Sequence, residues 1–248
     1  MYYLALVNGA ALMKVYVINL RRRTDRGQSI SQELLRVGVD DWAFGADIGC
    51  EFDGLCIKQE LARYSFFPWK INSQNEYWNR NINVGEICCV LAHHCVWKHA
   101  FISGEPWCLV VEDDAVFKSN MPDIVSGAVL SLCTSHPDWD ILYVGRERLG
   151  ADTGVGGGIV RPGYTYGTHG YALSRAGLYK LLNSNLLDSI MPLDEYLSAT
   201  FCQHPRVDVS GYVNVRLQGF ALESDCVWQD DRLGSDIEGS PDCFDLLI

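Results

Sequence analysis

Three consecutive carboxylates, Glu112, Asp113 and Asp114, close the apolar run Cys108-Leu109-Val110-Val111. Like charges that close repel, and at low dielectric one of them would be forced to hold a proton unless a cation neutralised the group. A divalent metal is the natural cation. In α/β folds the carboxyl ends of strands open onto the ligand crevice, so a strand finishing in acids directs metal and substrate to one place. Hard oxygen ligands suit magnesium or manganese, which commonly hold a substrate's phosphates as well. The residues therefore predict metal-dependent chemistry on a phosphate-bearing donor, against the plainer reading that acids favour strand ends and first helical turns.

Positioning such a group needs alternating strands and helices, and the chain supplies them. Lys14-Val15-Tyr16-Val17-Ile18-Asn19-Leu20 is a continuous apolar and β-branched run, which predicts a strand covered on both faces and placed centrally in its sheet. Arg21-Arg22-Arg23-Thr24-Asp25-Arg26 follows at its carboxyl end, and a helix is expected over 28–37. Arginines there can grip a diphosphate with forked donors, or simply form a solvated loop.

A second helix is predicted over 83–102, with Ile87, Leu91, His94 and Phe101 along one apolar stripe and Glu86 and His93 on a neighbouring face. Asn83-x-x-Glu86 reads as a capping-box start, and His93 on its own as a hydrogen-bonded structural histidine. The acidic strand comes next, and another strand is expected over 140–144. The glycine-rich stretch 150–158 lacks a phosphate-loop arrangement and reads as a mobile loop over the site. A short strand over 170–174, a helix over 175–182 capped by Ser174, and a helix opened by Pro192-Leu193-Asp194-Glu195-Tyr196 complete the pattern.

Composition narrows the function. With 248 residues, 48% of them apolar and 21% charged, the chain can bury a full core as one domain. We expect 1–13 to be an N-terminal extension, with Met13 as an alternative start, and 14–248 a single catalytic domain. The net charge of -11 argues against nucleic acid or an anionic membrane as partner. Much of that excess lies between Glu223 and Asp245, where only Arg232 opposes it. No apolar segment reaches the roughly 20 residues of a membrane helix, so no integral membrane segment is expected. The opening residues lack the positive region of a signal peptide, and the compartment stays open between cytoplasm and endoplasmic reticulum lumen. The ten cysteines show no zinc-like spacing with the six histidines, and Cys89, Cys95 and Cys108 read as buried free thiols.

Taken in order, Val15-Tyr16-Val17-Ile18-Asn19-Leu20 with Arg23 and Arg26, Gly85-Glu86-Ile87-Cys88-Cys89-Val90-Leu91-Ala92-His93 with Trp97, Val111-Glu112-Asp113-Asp114, Gly170-Tyr171 and Pro192-Leu193-Asp194-Glu195-Tyr196 resemble glycosyltransferase family 25. The ending, with Phe201-Cys202-Gln203-His204-Pro205 and Gly234-Ser235-Asp236-Ile237-Glu238, is similar to the procollagen galactosyltransferase branch. Cys88 and Ala92 depart from the family's usual Gly and Ser, but both are small.

The resemblance implies a GT-A-like α/β fold, a Rossmann-like mixed sheet flanked by helices, and an inverting transferase using manganese, with magnesium as the alternative. It implies UDP-galactose or UDP-glucose as donor and, for the collagen branch, the hydroxyl of hydroxylysine as acceptor. The donor set would be Asn19, Leu20, Arg23, Arg26, Glu86, His93 and Asp113. Metal would fall chiefly to Asp114, with Glu112, Asp236 and Glu238 contributing. Asp194, with Glu195 in reserve, would be the base. A lipopolysaccharide-type galactosyl- or glucosyltransferase, a non-catalytic adhesion or binding module of the same fold, and a metal-dependent phosphohydrolase are the competing readings.

Overall fold

The computed structural model describes residues 13–54, 57, 61–237 and 240–243. Its main sheet is built, in chain order, from β1 (Val15–Ile18), β2 (Trp42–Phe44), β3 (Trp107–Glu112), β5 (Ile141–Arg148), β6 (Thr153–Gly156), β7 (Ile159–Arg161), β8 (Thr165–Ser174) and β9 (Gly219–Leu222). A separate antiparallel pair joins β4 (Ala115–Phe117) to β10 (Val227–Gln229). Side by side the eight strands run β2-β1-β3-β8-β5-β9-β7-β6. β1 is parallel to β2 and β3, with Ile18 opposite Glu112, whereas β8 is antiparallel to both β3 and β5.

Period-two alternation splits the strands between two apolar layers. On β3, Trp107, Leu109 and Val111 enter one layer, and Cys108 and Val110 enter the other. The first is covered by α1 (Thr24–Arg36), through Ile30 and Leu34, and by α3 (Met121–Ser135), through Val125 and Leu132. The second is covered by α2 (Val84–Ser103), α4 (Arg175–Leu182), α5 (Leu193–Phe201) and α6 (Val207–Tyr212). A mixed sheet with helices on both faces agrees with the GT-A-like architecture expected above. The alternation also has a local result: it sends Glu112 toward α2 and the following Asp113 toward α1.

The predicted helix starts are made by the predicted atoms. Asn83 Oδ1 accepts from the Glu86 amide at 2.8 Å while Glu86 accepts from the Asn83 amide at 2.8 Å, closing the capping box. Ser174 Oγ accepts from the Gly177 amide at 3.0 Å and caps α4.

Several expectations are corrected. β1 is second in the sheet order, beside the edge strand β2, because three residues of Trp42–Phe44 add outside it. α1 begins at Thr24 rather than 28, bringing Arg26 onto a buried face. The strand expected over 170–174 extends back to Thr165 and spans ten residues. The glycine-rich stretch is not a loop over the site. It forms the β6–β7 hairpin at the far edge of the sheet, where Gly156, Gly157 and Gly158 turn the chain at φ of 97°, 65° and 74°. Cys95 is not a free thiol but is bonded to Cys50, whereas Cys108 is free and buried and Cys89 is free and half-buried. Among the described residues no helix is long and apolar enough to cross a membrane.

Candidate functional site

At the carboxyl ends of β1 and β3 lies a cavity of about 590 Å³. Ile18, Asn19 and Leu20 line it from β1, Gly85, Cys88, Cys89 and Ala92 from α2, and Glu112, Asp113 and Asp114 from the end of β3. Ser235, Asp236 and Ile237 close it from the C-terminal side. The small residues of α2 are what make the room. A Cβ on Gly85 would lie 2.7 Å from Ser240 Oγ and 2.8 Å from Ile237 Cα, so only glycine lets this segment cross the first turn of α2. Cys88 and Ala92 are correspondingly small and both face the cavity.

The three acids diverge as the pleat requires. Glu112 Oε1 accepts the Thr168 hydroxyl at 2.5 Å and stands 3.6 Å from His93 Nε2, and Gln229 Nε2 reaches Oε2 at 3.4 Å. Asp113 Oδ1 accepts from Arg26 Nη1 at 2.8 Å, and the other arm of Arg26 lies 3.2 Å from Asp114 Oδ2. Asp114 Oδ1 is buried and has no partner.

The environments set the proton affinities. Burial works to raise Glu112, but the neighbouring His93 and Thr168 outweigh it and hold the carboxyl below its ordinary value. Burial pushes Asp113 up to about 6, with Arg26 opposing. Burial, and then the negative charge of Glu112, pushes Asp114 up to about 7. One guanidinium shared between two aspartates therefore leaves the pair under-compensated, and Asp114, the acid with the orphaned oxygen, holds its proton the more tightly of the two. An all-oxygen set of Asp114 beside Asp113 fits manganese or magnesium.

The remaining predicted residues divide. Asn19 Oδ1 accepts from the Ala46 amide at 3.1 Å and Leu20 lines the cavity. Arg23 does not line it. Its guanidinium is held by Asp25 at 2.8 Å and by Asp236 at 2.5 Å, and it donates to the Leu233 carbonyl at 2.6 Å. Arg22, which does line the cavity, pairs with Asp236 at 2.7 Å and Asp53 at 2.7 Å. Asp236 thus carries two guanidinium partners of its own, and Glu238 lies outside the described residues. Together with the contact of Arg26 to the Gly234 carbonyl, these pairs strap the C-terminal segment to the start of α1.

Neither Glu86 nor His93 lines the cavity. Beyond its capping bond, Glu86 pairs with Arg80 at 2.7 Å and accepts the Tyr77 hydroxyl at 3.1 Å. His93 is fully buried, with Nδ1 2.6 Å from the Tyr171 hydroxyl, which in turn accepts from Trp97 Nε1 at 2.9 Å.

The acid pair of α5 faces two ways. Glu195 is 0% exposed and accepts from Trp78 Nε1 at 3.0 Å and from the hydroxyls of Tyr164 at 2.7 Å and Tyr166 at 3.0 Å; His204 Nε2 lies 2.5 Å away. With its oxygens so occupied it has no face for a substrate. Asp194 is half-buried, and its Oδ1 accepts from the Glu195 amide at 2.8 Å. Burial first, and then the charge of Glu195 with smaller contributions from Glu86 and Glu112, raises Asp194 to about 7.

Sequence reasoning passes over Thr168 and Gln229, which hold Glu112, and treats Cys89 as packing. The first two carry no local signal. Cys89 does, since it stands four positions before His93 on one helix.

Compared with known proteins, residues 13–137 match the model of glycosyltransferase family 25 (LPS biosynthesis protein). A human protein named inactive glycosyltransferase 25 family member 3 is 32% identical over 196 residues, which cover 77% of this chain and 32% of the relative. A glycosyltransferase 25 family member of Aedes aegypti is 32% identical over 195 residues, 77% of this chain and 31% of the relative. Procollagen galactosyltransferase 1-A of Xenopus laevis is 30% identical over 217 residues, 85% of this chain and 34% of the relative. The chain spans about a third of the length of these curated relatives.

Proposed function

As the chain belongs to glycosyltransferase family 25, we propose that it is an inverting, metal-dependent transferase that moves a hexose, galactose in preference to glucose, from a UDP-sugar to an acceptor hydroxyl. The observation that carries this reading is the buried, unpartnered Asp114 Oδ1 on the wall of a nucleotide-sized cavity at the ends of two parallel strands.

In this reading Asp114 and Asp113 would hold the cation, with Glu112 beside them on the cavity wall. A bound manganese supplies positive charge against the donor's diphosphate. Arg26 orients Asp113 and keeps both aspartates ionisable in a dry site. Asn19 and Leu20 contact the nucleoside. Asp194 accepts the proton of the acceptor hydroxyl as that oxygen bonds to the anomeric carbon; the bond from this carbon to the diphosphate oxygen breaks, and its electron pair leaves with UDP. A single displacement inverts the configuration. Glu195 positions the segment that carries Asp194.

For the acceptor we favour hydroxylysine of a collagen-like protein. Support comes from the name of the Xenopus relative and from the net charge of -11, which steers a protonated amine. The Cys50–Cys95 disulfide fits an oxidising compartment such as the endoplasmic reticulum lumen. A second reading, a binding module without turnover, draws support from the human relative named inactive.

Calorimetric titration of UDP with and without manganese separates the two. Manganese-dependent binding, followed by preference for UDP-galactose over UDP-glucose, supports the transferase. Binding indifferent to manganese, or none, supports the module.

A further inference from the structure

Cys89 and His93 lie one turn apart on α2, so both side chains leave the same face of the helix. The alternation of β3 aims Glu112 at that face. Cys89 Sγ, a ring nitrogen of His93 and a carboxylate oxygen of Glu112 all lie within 4.8 Å of one another. His93 is fully buried and its Nε2 has no hydrogen-bond partner. That nitrogen stands 3.6 Å from Glu112 Oε1, too far for a good hydrogen bond and the right distance for two ligands of one ion. An orphaned ring nitrogen in a dry core calls for an explanation.

We propose that Cys89, His93 and Glu112 form a zinc site, distinct from the cation at Asp114, whose fourth position opens into the cavity. A thiolate, an imidazole and a carboxylate make a set that selects zinc over manganese or magnesium, which take oxygen. Ligand atoms around tetrahedral zinc sit about 3.3–3.8 Å apart, so the three groups need to close by no more than about 1 Å. Cys89 is free, half-buried and on the cavity wall, where its side chain has room to turn. On coordination its thiol proton leaves to solvent and a sulfur electron pair goes to the metal.

The surroundings already orient the other two ligands. Tyr171, 2.6 Å from His93 Nδ1, can fix the ring with Nε2 facing the site, and Thr168 at 2.5 Å holds Glu112. Cys89 and Glu112 both line the cavity, which places the open position on its wall. The zinc site does not depend on the transferase reading, whose cation needs only Asp114 and Asp113.

The test is titration of the chelator-stripped full chain with cobalt(II) as a spectroscopic stand-in for zinc. The proposal expects saturation at about one equivalent, a thiolate-to-cobalt charge-transfer band and intense tetrahedral visible bands, all displaced by zinc. Cys89→Ser should lose the charge-transfer band while its circular dichroism stays that of the parent. Tyr171→Phe should keep the band and weaken affinity about 10–100-fold. Asp114→Asn should keep the full cobalt spectrum even where manganese-dependent UDP binding is gone, so failure of the two readings is distinguishable. Absence of the band in the parent chain, or its survival in Cys89→Ser, overturns the zinc site.

Discussion

Arg26 and Asp113 meet at 2.8 Å across 87 residues of sequence, and both are buried. The pair pins the first turn of α1 to the end of β3, and because the same guanidinium reaches Asp114, one side chain governs the charge balance of two acids. Much of the neutralisation that the acid run demands therefore comes from the chain itself.

Removing that guanidinium should be severe. Arg26→Met leaves two buried aspartates without a counter-charge, and a loss of about 3–5 kcal/mol is expected in chemical denaturation at neutral pH. A loss under about 1 kcal/mol would mean that the acids relax into water and that the cavity wall is softer than described.

Asp114→Asn keeps the shape and removes the charge. Calorimetry should show that manganese no longer promotes UDP binding, while the unfolding midpoint is unchanged or higher, since a buried carboxylate raised to about 7 is costly to keep ionised. Undiminished manganese-dependent binding would remove Asp114 from the cation set.

Asp194 should set the pH dependence. A base must be ionised to accept a proton, and this carboxyl is raised to about 7, so turnover should climb as pH rises through about 7 and level off above it. A profile already flat from pH about 5 would deny Asp194 the role.

The two acids of α5 should behave oppositely when neutralised. A carboxyl whose folded pKa is raised costs stability once the pH exceeds its unfolded value, and in Asp194→Asn the side-chain carbonyl would still accept from the Glu195 amide. That variant should therefore abolish turnover, keep UDP binding and gain about 1–2 kcal/mol above pH 7, solvent at its exposed edge limiting the gain. Glu195→Gln disturbs a carboxylate that accepts from Trp78, Tyr164 and Tyr166 with His204 alongside, and should lose about 1–3 kcal/mol in thermal unfolding. Equal losses in both variants would make Asp194 as structural as its neighbour.

What could be read from the sequence follows from how local each signal is. β1, β3, the Asn83–Glu86 box and the Ser174 cap rest on alternation and on bonds within a few residues, and they appear where expected. The partners of the acids could not be read, because Arg26 comes from 87 residues upstream and Thr168 lies 56 residues downstream of Glu112. Glu195 looks like an available acid in a first turn, and only the packing of Trp78, Tyr164 and Tyr166 from elsewhere in the chain reveals that it is enclosed. The glycines of 154–158 read as a mobile loop over the site, because the pairing of Ile159–Arg161 with β9 that fixes them in an edge hairpin depends on residues some 60 positions later.

The bridge between Cys50 and Cys95 spans 45 residues and joins two parts of the cavity wall. On one side of it lie Phe52, Asp53 and Gly54, and on the other Cys88, Cys89 and Ala92. In the chain-entropy account such a link removes about 4 kcal/mol of disorder from the unfolded chain. In the transferase reading proposed above, the donor nucleotide would meet a preformed surface and would not have to order it, which favours affinity without adding a contact. Thiol reductants should therefore weaken nucleotide binding from a distance, leaving every ligand-facing side chain unaltered.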